Sequence, residues 1–116
     1  MAHYLLLLHE KPGESPKLDS TEIQGIVARY SAWAEALRRG GRLLASEKLR
    51  EDGGKILRRE GSEVVVTDGP EEATEEIASG YFVIQAADYA DAVTIVRGCP
   101  HTEFGSIEIR EIEPIH

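Results

Sequence analysis

The run Tyr4-Leu5-Leu6-Leu7-Leu8 is apolar at every position and is closed by His9-Glu10-Lys11-Pro12-Gly13. A short apolar segment without alternation reads as a strand covered on both faces. After a loop with two prolines, Asp19 and, three places on, Glu22 make a capping-box pattern that starts a helix. Ile23, Ile26, Val27, Tyr30, Trp33, Ala34 and Leu37 then recur at helical spacing, and Gly40-Gly41 ends the segment. Arg42–Ser46 predicts a short strand and Asp52-Gly53-Gly54 a turn. Ile56–Arg59 and Glu63–Thr67 flank Glu60-Gly61-Ser62, which predicts a β-hairpin whose second strand carries the β-branched Val64-Val65-Val66. Thr67-Asp68-Gly69-Pro70 is a turn pattern, and the acidic stretch Glu71–Glu76 reads as a loop or a single helical turn. Tyr81-Phe82-Val83-Ile84 is a second strand apolar on both faces. Asp88 caps a second helix with Tyr89, Ala92, Val93 and Val96 on one side, which stops at Gly98 ahead of Pro100. Ile107 and Ile109 alternate with Glu108 and Arg110, while Ile112 falls out of phase and predicts a β-bulge near Arg110-Glu111.

The predicted order is β-α-β, a hairpin, then β-α-β. With the hairpin as an insertion this is the split βαβ pattern of an α+β, ferredoxin-like fold, with helices on one side of an antiparallel sheet. Residues 1–116 read as one domain, without linker, repeat or low-complexity segment. Two helices cover only one face of the sheet. The two doubly apolar strands therefore predict that a second copy covers the other face, because each large side chain left wet would cost roughly 1.5–3 kcal/mol. The expected state is a homodimer with an interface of at least about 1,200 Å² in total.

Composition narrows the partners. Of 116 residues, 41% are hydrophobic and 29% charged, an ordinary globular balance, and the formal net charge is −8. That sign repels phosphate backbones and anionic lipid, so no nucleic-acid or membrane partner is expected. The single cysteine, Cys99, has no internal partner, which suits a reducing, cytoplasmic setting. The opening apolar run is too short for a signal peptide or a membrane span. No His/Cys/Asp spacing suggests a metal and no glycine-rich loop suggests a nucleotide, so no cofactor or metal is expected. The Glu71, Glu72, Glu75, Glu76 cluster reads as a solvated acidic face.

Val66-Thr67-Asp68-Gly69-Pro70, followed by Thr74, Glu76 and Gly80, resembles the DGPF branch of the YCII-related family. The likeness extends to the Tyr4–Leu8 start, the Trp33 helix, Gly98-Cys99-Pro100-His101 and the ending Gly105-Ser106-Ile107-Glu108-Ile109-Arg110. Glu71 stands where the family has a phenylalanine after Asp-Gly-Pro, and Glu111 where a proline usually follows the terminal arginine. The resemblance implies a dimeric α+β barrel with a cleft in each subunit, some relatives carrying a His–Asp pair there. Distant relatives isomerise lactones or remove halogens, whereas the DGPF branch has no settled reaction. Its genes often lie beside those of extracytoplasmic-function sigma factors.

Asp68 and His101 are the leading catalytic candidates, since a carboxylate that orients an imidazole makes a general base suited to neutral pH. His9, Thr67, Tyr81 and Arg110 are candidate substrate-binding residues. Arg110 has a fork that fits a carboxylate, and it also has Glu108 and Glu113 as structural partners. Tyr30 and Trp33 read as helix-face residues with a core or dimer role, and Cys99 as unreactive. The sequence thus predicts a small-molecule cleft with His/Asp acid–base chemistry, or alternatively a non-catalytic ligand sensor or regulatory partner.

Overall fold

A computed structural model describes residues 1–11, 17–69 and 76–114. The elements run β1 (Ala2–Glu10), α1 (Ser20–Arg39), β2 (Leu43–Lys48), β3 (Lys55–Glu60), β4 (Glu63–Asp68), β5 (Ile77–Ala86), α2 (Tyr89–Val96) and β6 (Ser106–Glu111). A short 3₁₀ turn, Pro100–Glu103, separates α2 from β6. Four strands form one antiparallel sheet in the order β2-β5-β1-β6, while β3 and β4 pair only with each other. This is the ferredoxin-like α+β arrangement the element order predicts, with the hairpin inserted between β2 and β5. The acidic stretch after Asp68 falls mostly on residues 70–75, outside the described residues.

Local chemistry explains the element ends. The Asp19 carboxylate accepts the Glu22 amide at 2.8 Å and opens α1; Gly41, at φ +71°, turns the chain out of it. The Asp88 carboxylate accepts the Asp91 amide at 2.8 Å and opens α2. Asp91 in turn accepts from the Ala87 amide at 2.9 Å and from Arg42 at 2.8 Å, which ties α2 to the start of β2.

Tyr4, Leu6 and Leu8 of β1, Ile84 and Ala86 of β5, and Ala92 and Val96 of α2 form the buried core. Trp33 and Leu37 of α1, Phe82, Ile107 and Ile109 pack against it from partly buried positions. Trp33 meets Phe82 edge-on at 5.1 Å and donates its indole N–H to the Ile95 carbonyl at 3.4 Å. Leu5, Leu7, Tyr81 and Val83 alternate with the core positions and are half-buried on the sheet's other face.

Two sequence expectations are corrected. The pairing of β6 with β1 is regular from Ser106 to Glu111, so no bulge lies at Arg110-Glu111. Register shifts lie instead on the two sides of β5: against β1, where Leu8 faces Gly80 and His9 faces Ala78, leaving Ser79 as the extra residue, and against β2, where Leu43 faces Ile84 and Ala45 faces Val83. Ile112 is out of phase because β6 has already ended, although its amide still reaches the His3 carbonyl. The second correction concerns α1. Its C-terminal half packs on the core as predicted, but Ile23 and Val27 are about half exposed, at 48% and 56%, and no α1 residue is fully buried. The N-terminal half stands away from the sheet.

Candidate functional site

That separation opens a cavity of about 450 Å³ between α1 and the sheet. Ile26, Val27 and Tyr30 form the helix wall, Leu8, Gly80 and Phe82 the sheet wall, and Phe104 and His101 close one end. Ser46 and Lys48 line it from β2, and Glu10, Glu47 and Glu51 also contribute. The β5 bulge helps to shape this end of the sheet. The Ser79 hydroxyl is buried and donates to the Leu8 carbonyl at 3.3 Å, and the Ser79 carbonyl accepts from the Leu49 amide. Gly80 must remain without a side chain, since a Cβ there would stand 2.9 Å from the Glu47 carbonyl oxygen.

His101 is the most constrained polar residue of the site. Pro100 sets the first position of the 3₁₀ turn, and the turn carries the imidazole inward until the residue is 2% exposed. Its Nε2 lies 2.9 Å from the His9 carbonyl oxygen, and its Nδ1 lies 2.9 Å from the Tyr30 hydroxyl. A carbonyl only accepts, so Nε2 carries the proton. In the neutral ring Nδ1 is then the acceptor, and Tyr30 donates to it. Burial, with smaller contributions from Cys99 and Glu10, pushes the Tyr30 phenol well above its usual value, so it stays protonated at neutral pH. An ion pair between Arg29 and Glu103 straps α1 to the 3₁₀ turn beside this contact. It holds the Glu103 carboxyl below its ordinary range.

The predicted site residues separate into two groups. His101 lines the cavity; Tyr81 borders it on β5, but its side chain belongs to the opposite face of the sheet, with Leu7. His9 reaches the site through its backbone, while its ring bonds Glu108 at 3.1 Å. Arg110 also bonds Glu108, at 3.2 Å, and its side chain is 70% exposed. Asp68 and Thr67 are on β4 of the hairpin and do not line the cavity. The Asp68 carboxylate is exposed and ion-paired with Lys55, its cross-strand neighbour. The structure therefore does not bring Asp68 to His101, whose two nitrogens are taken by Tyr30 and the His9 carbonyl. The reason is topological: β4 belongs to the separate two-stranded ribbon, not to the sheet that carries the cavity.

The sequence assigns Tyr30 a core or dimer role, and the ring does pack against the core, but its hydroxyl also serves the site. The available signal was that Tyr30 is the one hydroxyl on the apolar stripe of α1. Cys99 is buried, and burial raises its thiol pKa. Among the described residues no group of three or more His, Cys, Asp or Glu side chains is placed to hold a metal, and no helix is long and apolar enough to cross a membrane.

The sequence matches the YCII-related domain over residues 2–116. The chain belongs to the YCII-related family. No curated protein matches it. Among solved structures it is similar to 5-chloro-2-hydroxyhydroquinone dehydrochlorinase from Burkholderia phenoliruptrix AC1100, determined in complex with 2,5-dihydroxybenzoquinone. That similarity has a TM-score of 0.54 at 12% identity and covers 96% of this chain and 93% of the other. At that identity the likeness establishes the shared fold alone.

Proposed function

We propose that this YCII-related protein is an acid–base enzyme acting on a small ring compound in the cavity between α1 and the sheet. The observation that carries the reading is the Tyr30–His101–His9 carbonyl chain at one end of a cavity whose helix and sheet walls are the apolar Ile26, Val27, Leu8 and Phe82. The fixed Nε2 proton leaves Nδ1 as a base, and Tyr30 stands between that base and the cavity. A substrate proton passes to the Tyr30 oxygen as the Tyr30 proton passes to Nδ1. The resulting imidazolium donates at both nitrogens, one to the carbonyl and one to Tyr30. Reversal of the two transfers returns a proton to a different substrate atom, giving isomerisation, or accompanies loss of a leaving group. Tyr30 thus takes the place the sequence assigned to Asp68, and His101 keeps its role as base. The dehydrochlorinase supports a ring compound as the first substrate class to try, through the fold it shares. The Asp68-Gly69-Pro70 sequence supports placing the chain in the DGPF branch.

The test is solvent-deuterium incorporation into a panel of phenols and enolisable cyclic ketones, 2,5-dihydroxybenzoquinone included. Exchange should be faster with the protein and return to the buffer rate in His101→Gln, with Tyr30→Phe strongly reduced. Binding without acceleration for any member of the panel would defeat the enzymatic reading and leave a ligand sensor.

We also propose a homodimer joined through the half-buried Leu5, Leu7, Tyr81 and Val83 face. These side chains are too apolar to remain wet and have no cover within the described part of their own chain.

A further inference from the structure

Among the described residues the β3–β4 hairpin is an arm that joins no other strand. Its strands pair with each other and make no comparable contact with another element. The molecule is a slab of 47 × 46 × 19 Å with a radius of gyration of 16.3 Å. A compact chain of this length would have about 13 Å. On one face of the ribbon the cross-strand pair Leu57–Val66, and Val64 next to it, are 64%, 58% and 52% exposed. A two-stranded ribbon is marginally stable alone and needs a surface to pack on.

We infer that this arm clasps a second copy of the chain, its Leu57–Val64–Val66 face lying on the partner's body. The inference rests on the homodimer proposed above and adds to it. Two observations favour a second copy over another occupant. The first is area. Four strands about 4.8 Å apart and about 20 Å long give a sheet face of roughly 400 Å² per chain, so two such faces bury about 800 Å². That falls short of the roughly 1,200 Å² of a stable interface, and a pair of reciprocal arms supplies the missing area. The second is charge. Each copy carries a net charge of −8, so self-association needs surfaces free of that excess. The arm has this property, because Lys55, Arg58 and Arg59 balance Glu60, Glu63 and Asp68.

The experiment is sedimentation equilibrium of the full chain and of the double variant Leu57→Glu/Val66→Glu. Both positions are more than half exposed, so the variant should keep its circular dichroism and unfolding midpoint at concentrations where the chain is monomeric. The expected result is a wild-type dimer whose dissociation constant rises by roughly 100-fold or more in the variant. A photo-crosslinking residue at Val64 keeps the test valid if the charged variant misfolds, and it should give covalent dimer. A wild-type dimer with an unchanged constant in the variant, or crosslinks only within one chain, overturns the arm's role. The homodimer reading would then stand, with the arm free for another protein. A wild-type monomer at micromolar concentration overturns both.

Discussion

Gly105 is where the site and the fold depend on each other most directly. A Cβ added there would run into the His9 carbonyl oxygen, and it would stand 3.1 Å from the His9 carbonyl carbon and 3.0 Å from His101 Nε2. Two of these atoms are backbone of β1, which is paired on both sides and cannot swing away. In Gly105→Ala either the strand or the 3₁₀ turn must move, and the Nε2–His9 hydrogen bond lies in the path of both. Leaving a buried ring N–H unpaired costs about 1–3 kcal/mol, and overpacking a tight contact costs a further 1–3 kcal/mol or so. The expected loss is about 2–6 kcal/mol. Urea unfolding followed by circular dichroism measures it, and ¹⁵N-edited imidazole spectra report whether Nε2 keeps its proton. Gly25 is the control, since a Cβ there meets nothing within 4 Å and lies inside α1. Gly25→Ala should stabilise by about 0.5–1 kcal/mol. A Gly105→Ala loss below about 0.5 kcal/mol with the tautomer intact would refute the claim that this close approach fixes His101.

Trp33→Ala removes the edge-on contact with Phe82 and the indole hydrogen bond to Ile95 from a half-buried position, and should cost about 2–4 kcal/mol in the same unfolding assay. Asp68→Asn removes only an exposed pair with Lys55, so stability should change by less than about 0.5 kcal/mol. Ring-compound binding, followed by NMR, should be unchanged, and a loss of binding would return Asp68 to the site. Asp91 is held below the usual carboxylate range first by the Ala87 amide and then by Arg42. Its folded pKa is therefore below the unfolded one, and the unfolded chain binds the extra proton. The stabilisation is complete above the unfolded value of about 3.9 and is lost as pH falls through the depressed folded value. Asp91→Asn should flatten the acid limb of the stability–pH curve, which unfolding at a series of pH values below 5 would detect.

The folding pattern was legible because each element announces itself locally. Asp19 and Asp88 cap the helices the sequence assigns to them, and the hairpin falls around Gly61 as its turn residues demand. The bulge was misplaced for a physical reason. An out-of-phase Ile112 marks either a bulge or the end of a strand, and periodicity within one strand cannot separate them. The irregularities at Ser79 and Leu44 lie in the register of β5 with β1 and with β2, a property of two strands together.

The site was less legible because its residues look like core. An apolar stripe on a helix predicts burial against something, without saying that the helix lies flat along its whole length. Ile26 and Val27 satisfy the same period as Trp33 and Leu37, yet they face a cavity and the latter pair the core, while Tyr30 touches both. Arginine 29 and Glu103 hold α1 to the 3₁₀ turn, a contact between residues 74 positions apart that no local pattern reveals. The Asp68–His101 pairing failed in the opposite way. Both residues read from the sequence as turn positions beside strands, which suits a sheet-edge side chain, but Asp68 ends β4 and β4 is not in the sheet. A strand's neighbours decide what its end can reach, and those neighbours are set by pairing rather than by sequence adjacency. His101 reaches the cavity because Pro100 starts a turn that points inward. What completes the site is a backbone carbonyl from β1 and a helix hydroxyl, groups whose chemistry appears only once the fold has placed them.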